Sequence, residues 1–208
     1  MDWVAVDKGM LSRLLYSNPV CLLSVRSSNG SSCNLMTISW ITAINNKGKF
    51  ICSMNATRHT AKFMNQAGAI FVLNVPVRGM EKLILAIGGC SGAHVDKFDQ
   101  FNTKKQKLSE KEIARQEIVY ATRQSIAVRD CVAHLLCRVD SVMENDGHLL
   151  LWCSQLAGWT RRAYWDGYNF ISQDGTDVEP YLTFLGSKVF GYVVPADSVS
   201  TRKRSKDA

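Results

Sequence analysis

Apolar residues in this chain fall into short blocks, and their spacing predicts mostly strands. "VCLLSV" reads as a buried strand, and "RSSNGSS" follows it with Asn29-Gly30. That pair predicts a type I′ hairpin turn, which needs positive φ at both central residues. "CNLMTISWITAI" returns as the partner strand, "KFICSM" is a third and "AIFVLNV" a fourth, stopped by Pro76. "CVAHLLCRVDSVM" and "HLLLWCSQLA" flank Asp146-Gly147, a second hairpin signal, and "GSKVFGYVVP" is a last strand. Four helical patterns interrupt them. Met10, Leu11, Leu14 and Leu15 share a face in a run ending at Pro19. Phe63, Met64 and Ala67 share one in "HTAKFMNQAG", which Gly68 stops. "MEKLILAI" ends at Gly88-Gly89, and Val95, Phe98 and Phe101 align in "HVDKFDQF". The lysine-rich stretch after it reads as a polar linker or solvated helix face. There is no βαβ alternation and no G-x-G-x-x-G after a strand, which argues against a Rossmann domain. The fold class is mainly β, an antiparallel barrel decorated by helices.

Composition changes this picture little. The 208 residues suit one large domain and can bury a core without disulfides. Seven scattered cysteines with no C-x-x-C pair argue for reduced thiols and against a metal site. No apolar run is long enough to span a membrane, and the N-terminus has no signal-peptide pattern, so a cytoplasmic location is expected. The net charge of +7 owes +3 to the last eight residues, "TRKRSKDA". No basic stripe interleaves with aromatics, so neither nucleic acid nor membrane is an expected partner.

Three segments carry candidate chemistry. "CSMNATRHTAKF" packs Ser53, Asn55, Thr57, Arg58, His59 and Thr60 into a strand-to-helix corner. With Thr60 as N-cap, the corner suits a phosphate. It equally suits a capped turn whose Arg58 and His59 point to water. In "CNLMTISW", Asn34, Thr37 and Ser39 interrupt an apolar strand, and Trp40 offers a flat surface. A polar ligand would partner those groups, as would an edge strand with one wet face. "GGCSGAHVDKF" is a glycine-rich corner before a helix containing Lys97. No G-x-S-x-G elbow or carboxylate pair stands out, and His134 lies inside an apolar strand where a core histidine is the default.

In this order, "NLMTISW", "SMNATRHT", "VLNVP" and "GGCSGAHVDKF" resemble the flavin reductase-like family of FMN-binding split barrels, over about residues 18–101 and more loosely beyond. The resemblance implies a Greek-key split β-barrel over residues 1–195; the polar, basic composition of 196–208 reads as a disordered tail. It implies a homodimer with one FMN per subunit. Asn34, Thr37, Ser39 and Trp40 would line the flavin ring and ribityl chain. Ser53, Asn55, Arg58 and Thr60, with His59 beside them, would hold the phosphate. Lys97 would reach the flavin from a helix opened by Ser91 and Gly92, and His134 would lie at the flavin. No residue is assigned a catalytic role, because the flavin carries the chemistry. The implied function is transfer of electrons from NADH or NADPH through FMN to a flavin or small acceptor. The alternative is a non-catalytic FMN-binding or electron-transfer protein serving a redox partner.

Overall fold

The computed structural model describes residues 3–27, 30–111, 113–171 and 178–195. The tail after residue 195 and the hairpin residue Asn29 lie outside them. Among the described residues twelve strands form: β1 Asn18–Pro19, β2 Cys21–Arg26, β3 Cys33–Ile38, β4 Ile41–Ala43, β5 Lys49–Asn55, β6 Ile70–Val75, β7 Lys105–Gln106, β8 Ala127–Val128, β9 Ala133–Asn145, β10 His148–Thr160, β11 Leu182–Gly186 and β12 Val189–Tyr192. The helices are α1 Ala61–Met64, α2 Glu81–Gly89, α3 Lys97–Gln100 and α4 Gln116–Gln124, with 3-10 turns at Lys8–Leu15 and Arg162–Tyr164.

Seven strands make one antiparallel sheet in the order β3-β2-β6-β9-β10-β5-β4. Its two edges, β3 and β4, are consecutive in the chain and separated only by Ser39 and Trp40. The sheet therefore curls until its ends meet at that corner, as the predicted barrel requires. The chain from β5 to β6 passes over two strand positions through α1, a Greek-key connection. The β9–β10 hairpin turns as its sequence demands, with φ of 48° at Asp146 and 70° at Gly147.

Alternation sorts the faces. Cys21, Leu23 and Val25 of β2, Phe50, Cys52 and Met54 of β5, and Leu149, Leu151 and Cys153 of β10 fill the barrel. The outward residues Leu22 and Leu35 are covered by Ile84 and Ile87 of α2 and Phe98 of α3. Val72 and Leu136 are covered by Ile118 and Ala121 of α4. Among the described residues no such helix covers the outer face of β4, β5 and the first half of β10, and Trp40 and Trp152 are exposed there.

Several elements differ from the sequence reading. The helix expected over "HTAKFMNQAG" is a single turn, because Asn65 leaves the helical region at ψ 42°. The lysine-rich stretch is followed by a real helix, α4, whose Ile118, Ala121 and Thr122 are buried. The last strand is a hairpin, β11–β12, turning at Ser187 and Lys188 with φ of 45° and 69°. The first helical run coils over Lys8–Leu15 as a 3-10 helix and buries none of its residues.

Candidate functional site

The loop leaving β5 is shaped by its own side chains. Asn55 Oδ1 accepts from the Thr57 N–H at 2.8 Å and from the Thr57 hydroxyl at 2.6 Å. This is an Asx-type turn. Ala56 N–H donates to Gly147 O at 2.9 Å, which ties the loop to the β9–β10 hairpin. Among the described residues, the backbone N–H groups of His59 and Thr60 have no protein acceptor.

Thr60 does not cap α1 as expected. Its backbone is itself helical, φ −61° and ψ −30°, and its hydroxyl makes no capping bond. The hydroxyl instead accepts from Asn34 Nδ2 of β3 at 2.8 Å. Both residues are buried. Asn34 is a buried polar group within an apolar strand, and Thr60 satisfies it. Gly92 closes the other side of Asn34. A Cβ there would lie 2.0 Å from Asn34 Oδ1, so only glycine allows this approach. Ser91 and Gly92 belong to a loop and do not open α3; that role falls to Asp96, which accepts from the Phe98 N–H at 2.8 Å.

A cavity of ≈ 490 Å³ opens between this loop, β3 and the α2–α3 connection. It brings together Asn34, Thr37, Asn55, Arg58, His59, Thr60, Ser91 and Lys97, as the motifs imply. Thr57, Gly88, Gly92, Cys90, Met36 and Ile87 complete its wall, and the sequence pattern singles out neither Met36 nor Ile87. Among the described residues, no carboxylate lines it. Lys97 is only 4% exposed, and its Nζ donates to Ile87 O at 2.8 Å. Burial pulls the Lys97 ammonium below the usual lysine range, and the nearby Arg58 adds to this. Burial also pulls the His59 imidazole down, with Lys62, Lys97 and His94 contributing. His59 Nδ1 is buried without a partner, and its ring stands edge-on to Phe63 at 5.4 Å.

Four expected residues lie elsewhere. Ser53 faces outward, because its neighbours Cys52 and Met54 take the inward positions of β5. It lines a separate groove with Trp40. Trp40 is 45% exposed, donates through Nε1 to the Tyr16 hydroxyl at 3.3 Å and packs its ring on His148. Ser39 sits at the corner between β3 and β4 and does not line the cavity. His134 is further away. It shares a cross-strand row with Thr37, Leu22 and Asn74, three strands from Thr37, or about 14 Å at ordinary strand spacing. Its Nδ1 donates to Asn74 Oδ1 at 2.9 Å; that oxygen also accepts from the Val128 N–H. A carboxamide oxygen cannot donate, so the proton sits on Nδ1. Burial, helped by Arg161, pushes its pKa down to about 4. His134 is therefore a buried, neutral histidine bonded through Nδ1, in the wall of another cavity with Trp159, Trp165 and Phe170.

Residues 11–170 match the model of the flavin reductase like domain. The chain belongs to that family. No curated protein matches it in sequence. Among solved structures, it is similar to flavoredoxin from Methanosarcina acetivorans, at 18% identity and a TM-score of 0.70, covering 98% of this chain and 97% of that one. It is similar to an FMN-binding protein from Thermus thermophilus with bound 1-cyclohex-2-enone, at 16% identity and TM-score 0.70, over 96% and 99% of the two chains. An NADH:FAD oxidoreductase from Streptomyces globisporus C-1027 follows, at 15% identity and TM-score 0.67, over 94% and 100%. At these identities the likeness establishes the fold. Family members are named for flavin chemistry, and the cavity fits a flavin mononucleotide on its own evidence. It offers unpaired amides, a buried cation, hydroxyl and carboxamide groups, and a wall that a Cβ at Gly92 would disrupt. Among the described residues no helix is long and apolar enough to cross a membrane.

Proposed function

We propose that this chain is an FMN-binding oxidoreductase that takes electrons from NADH or NADPH and passes them to a flavin or small acceptor. The observation that carries this reading is the cavity with the cations Arg58 and Lys97 in its wall, the His59 imidazole beside them and, among the described residues, no carboxylate. An anionic ligand with a polar chain balances that charge; no group in the cavity wall does.

The residues divide the work. Arg58, with the free amides of His59 and Thr60, holds the phosphate. The Thr60 hydroxyl already accepts from Asn34, so its own proton is available to the ribityl chain. β3 is an edge strand, so alternate backbone groups along it stay open for the imide edge of a flat ring. Lys97, fixed by Ile87 O, favours negative charge gained on reduction. Bound FMN would supply the redox chemistry itself, accepting a hydride from the nicotinamide and handing electrons on. No protein acid or base is required for that exchange, and among the described residues no carboxylate lines the cavity to act as one.

The same reading makes the chain a homodimer. Leu11, Leu14 and Leu15 of the 3-10 turn are exposed, as are Trp40 and Trp152 on the uncovered sheet face. A groove links the two patches through Leu15, Tyr16, Trp40 and Ile51. A second copy of the same surface would cover them. Sedimentation should give twice the chain mass, and Trp152→Glu should return it to a monomer; a monomeric native protein refutes the assembly.

The function is tested by the visible spectrum of the purified protein, followed by anaerobic mixing with NADH and with NADPH. A bound flavin bleached by either donor is the expected result. Full flavin occupancy with no bleaching by either would leave a flavin-binding or electron-transfer protein instead.

A further inference from the structure

The cavity beside His134 lies apart from the candidate flavin cavity, three strands along the same cross-strand row. It measures ≈ 480 Å³, and its wall includes His134 and Leu135 of β9, Gly158 and Trp159 of β10, and Trp165 and Phe170. Small-molecule sites run from roughly 300 to 1,000 Å³. Trp159 is the register partner of His134, so the two side chains stand on one face of the hairpin. Trp165 and Phe170 close the cavity from the segment after β10. A backbone bridge joins them, and Asp166 holds the turn between them by accepting from the N–H groups of Tyr168 and Asn169. Phe170 also stacks on Tyr181, with ring centroids 4.8 Å apart. The aromatic wall is thus fixed by the protein's own contacts.

Two features of the wall point to an occupant. The first is His134. Its Nδ1–H is committed to Asn74, which leaves Nε2 as an acceptor with an in-plane lone pair. Among the described residues Nε2 has no hydrogen-bond partner. It is not among the side-chain atoms sealed away without a partner, which are His59 Nδ1 and Thr103 Oγ1. His134 as a whole is 6% exposed, so the open space that Nε2 meets is this cavity. The one hydroxyl in the wall, on Thr160, already donates to Val132 O at 3.2 Å. The second feature is Gly158. Glycine inside a strand weakens it and often marks a place where another group approaches. A Cβ at Gly158 would meet one atom, His134 O at 3.8 Å, which is ordinary contact. The protein leaves that position unfilled, and the space belongs to the cavity.

We infer that this cavity binds a small, uncharged aromatic molecule that donates one N–H or O–H to His134 Nε2. Its flat body lies among the rings of Trp159, Trp165 and Phe170, over the gap at Gly158. A charged ligand fits poorly, because among the described residues no lysine, arginine, aspartate or glutamate lines the cavity and burying an unpaired charge is costly. Arg161, whose charge His134 feels, turns its guanidinium to Arg129 O at 3.2 Å. An aromatic molecule without a donor would leave Nε2 unmet in an apolar site, so the donor sets the specificity.

Calorimetry with indole and 1-methylindole tests the site, on the protein as purified and on the same protein saturated with FMN. Indole should bind once per chain, about fivefold more tightly than 1-methylindole, the factor that one neutral hydrogen bond supplies. Its affinity should be equal with and without FMN, and it should leave any visible flavin spectrum unchanged. Gly158→Val fills the gap with a residue suited to a strand. It should weaken both probes at least about tenfold through overpacking, while the urea midpoint stays at or above that of the native chain. His134→Phe keeps a ring and removes the acceptor, so the two probes should bind it alike. Equal affinity of the native chain for the two probes, or undiminished binding by Gly158→Val, overturns the site. Indole that perturbs a flavin spectrum and competes with NADH sits on the flavin, which overturns it too. Absence of indole binding overturns it outright, and if Trp165→Glu then converts a native dimer to a monomer in sedimentation, the occupant is a second copy of this chain.

Discussion

Gly92 is where the geometry of the candidate site can be tested most directly. A Cβ placed there would lie 2.0 Å from Asn34 Oδ1 and 2.7 Å from its Cγ, and no atom outside Asn34 comes nearer than 3.2 Å. Ordinary contact starts at 3.4 Å, so Gly92→Ala forces the Asn34 carboxamide to move by about 1.4 Å. Asn34 cannot move that far and keep its 2.8 Å bond to Thr60. Both partners are buried, and an unsatisfied buried donor costs roughly 1–3 kcal/mol. Urea unfolding should show Gly92→Ala less stable by about that amount. Asn34→Ala removes every atom that collides. In that background Gly92→Ala should cost close to nothing, giving a coupling of about 1 kcal/mol or more. An equal cost in both backgrounds would refute the contact, and with it the argument that Asn34 is clamped between loop and strand. Flavin affinity should fall with either single change, because both release the wall that Thr60 shares with the cavity.

Two other outcomes follow from the same structure. Arg58→Ala should weaken FMN binding about tenfold or more in a fluorescence titration, since a hydrogen bond to a charged group is worth roughly 1.5–3 kcal/mol, and unchanged affinity would mean the phosphate lies elsewhere. His134 is neutral in the fold with a pKa of about 4, against the 6.5 of an unperturbed histidine. Above pH 6.5 neither state is protonated and the group is silent. Below it the unfolded chain takes up a proton that the fold refuses, so stability is lost as pH falls toward 4, by up to about 3 kcal/mol. His134→Gln should remove that part of the acid-side loss in denaturant titrations, leaving the smaller contribution of His59, which acts in the same direction.

The barrel was legible because its strands announce themselves by blocks of apolar residues and by turns that need positive φ. Asp146-Gly147 is such a turn, and it is found. The cavity-lining loop after β5 was legible because hydroxyl, amide and cationic residues crowd one corner. What stayed hidden was the facing of single residues. In "FICSM" the outward positions are Ile51 and Ser53, one apolar and one polar, so the alternation that would reveal Ser53 as outward is blurred by an uncovered, half-exposed face. His134 was hidden for the opposite reason. Its row on the sheet is closed by the Asn74 network, which also ties in Val128 of β8, and Asn74 lies 60 residues away in sequence. Helix α4 escaped because its apolar face is narrow and sits among charges.

Lys97 shows how the fold and the site are bound together. Among the described residues it is the only lysine, arginine, aspartate or glutamate in the buried class. Its ammonium has one protein acceptor, Ile87 O at 2.8 Å, and no carboxylate. Burying an unpaired charge opposes folding, and the lowered pKa of Lys97 expresses the same cost. Ile87 is itself locked in the core with Leu22, Leu35 and Phe98, so the lysine cannot swing out without disturbing that packing. A charge kept at a cost to the free protein is explained if an anion from outside supplies its partner. Lys97→Met keeps the length of the side chain and removes the charge. In urea unfolding the free protein should be as stable as the native chain or more so, while flavin affinity falls and the stabilisation gained on adding FMN shrinks. A large loss of stability with flavin affinity unchanged would make Lys97 a structural residue and would remove the buried cation from the argument for an anionic cofactor.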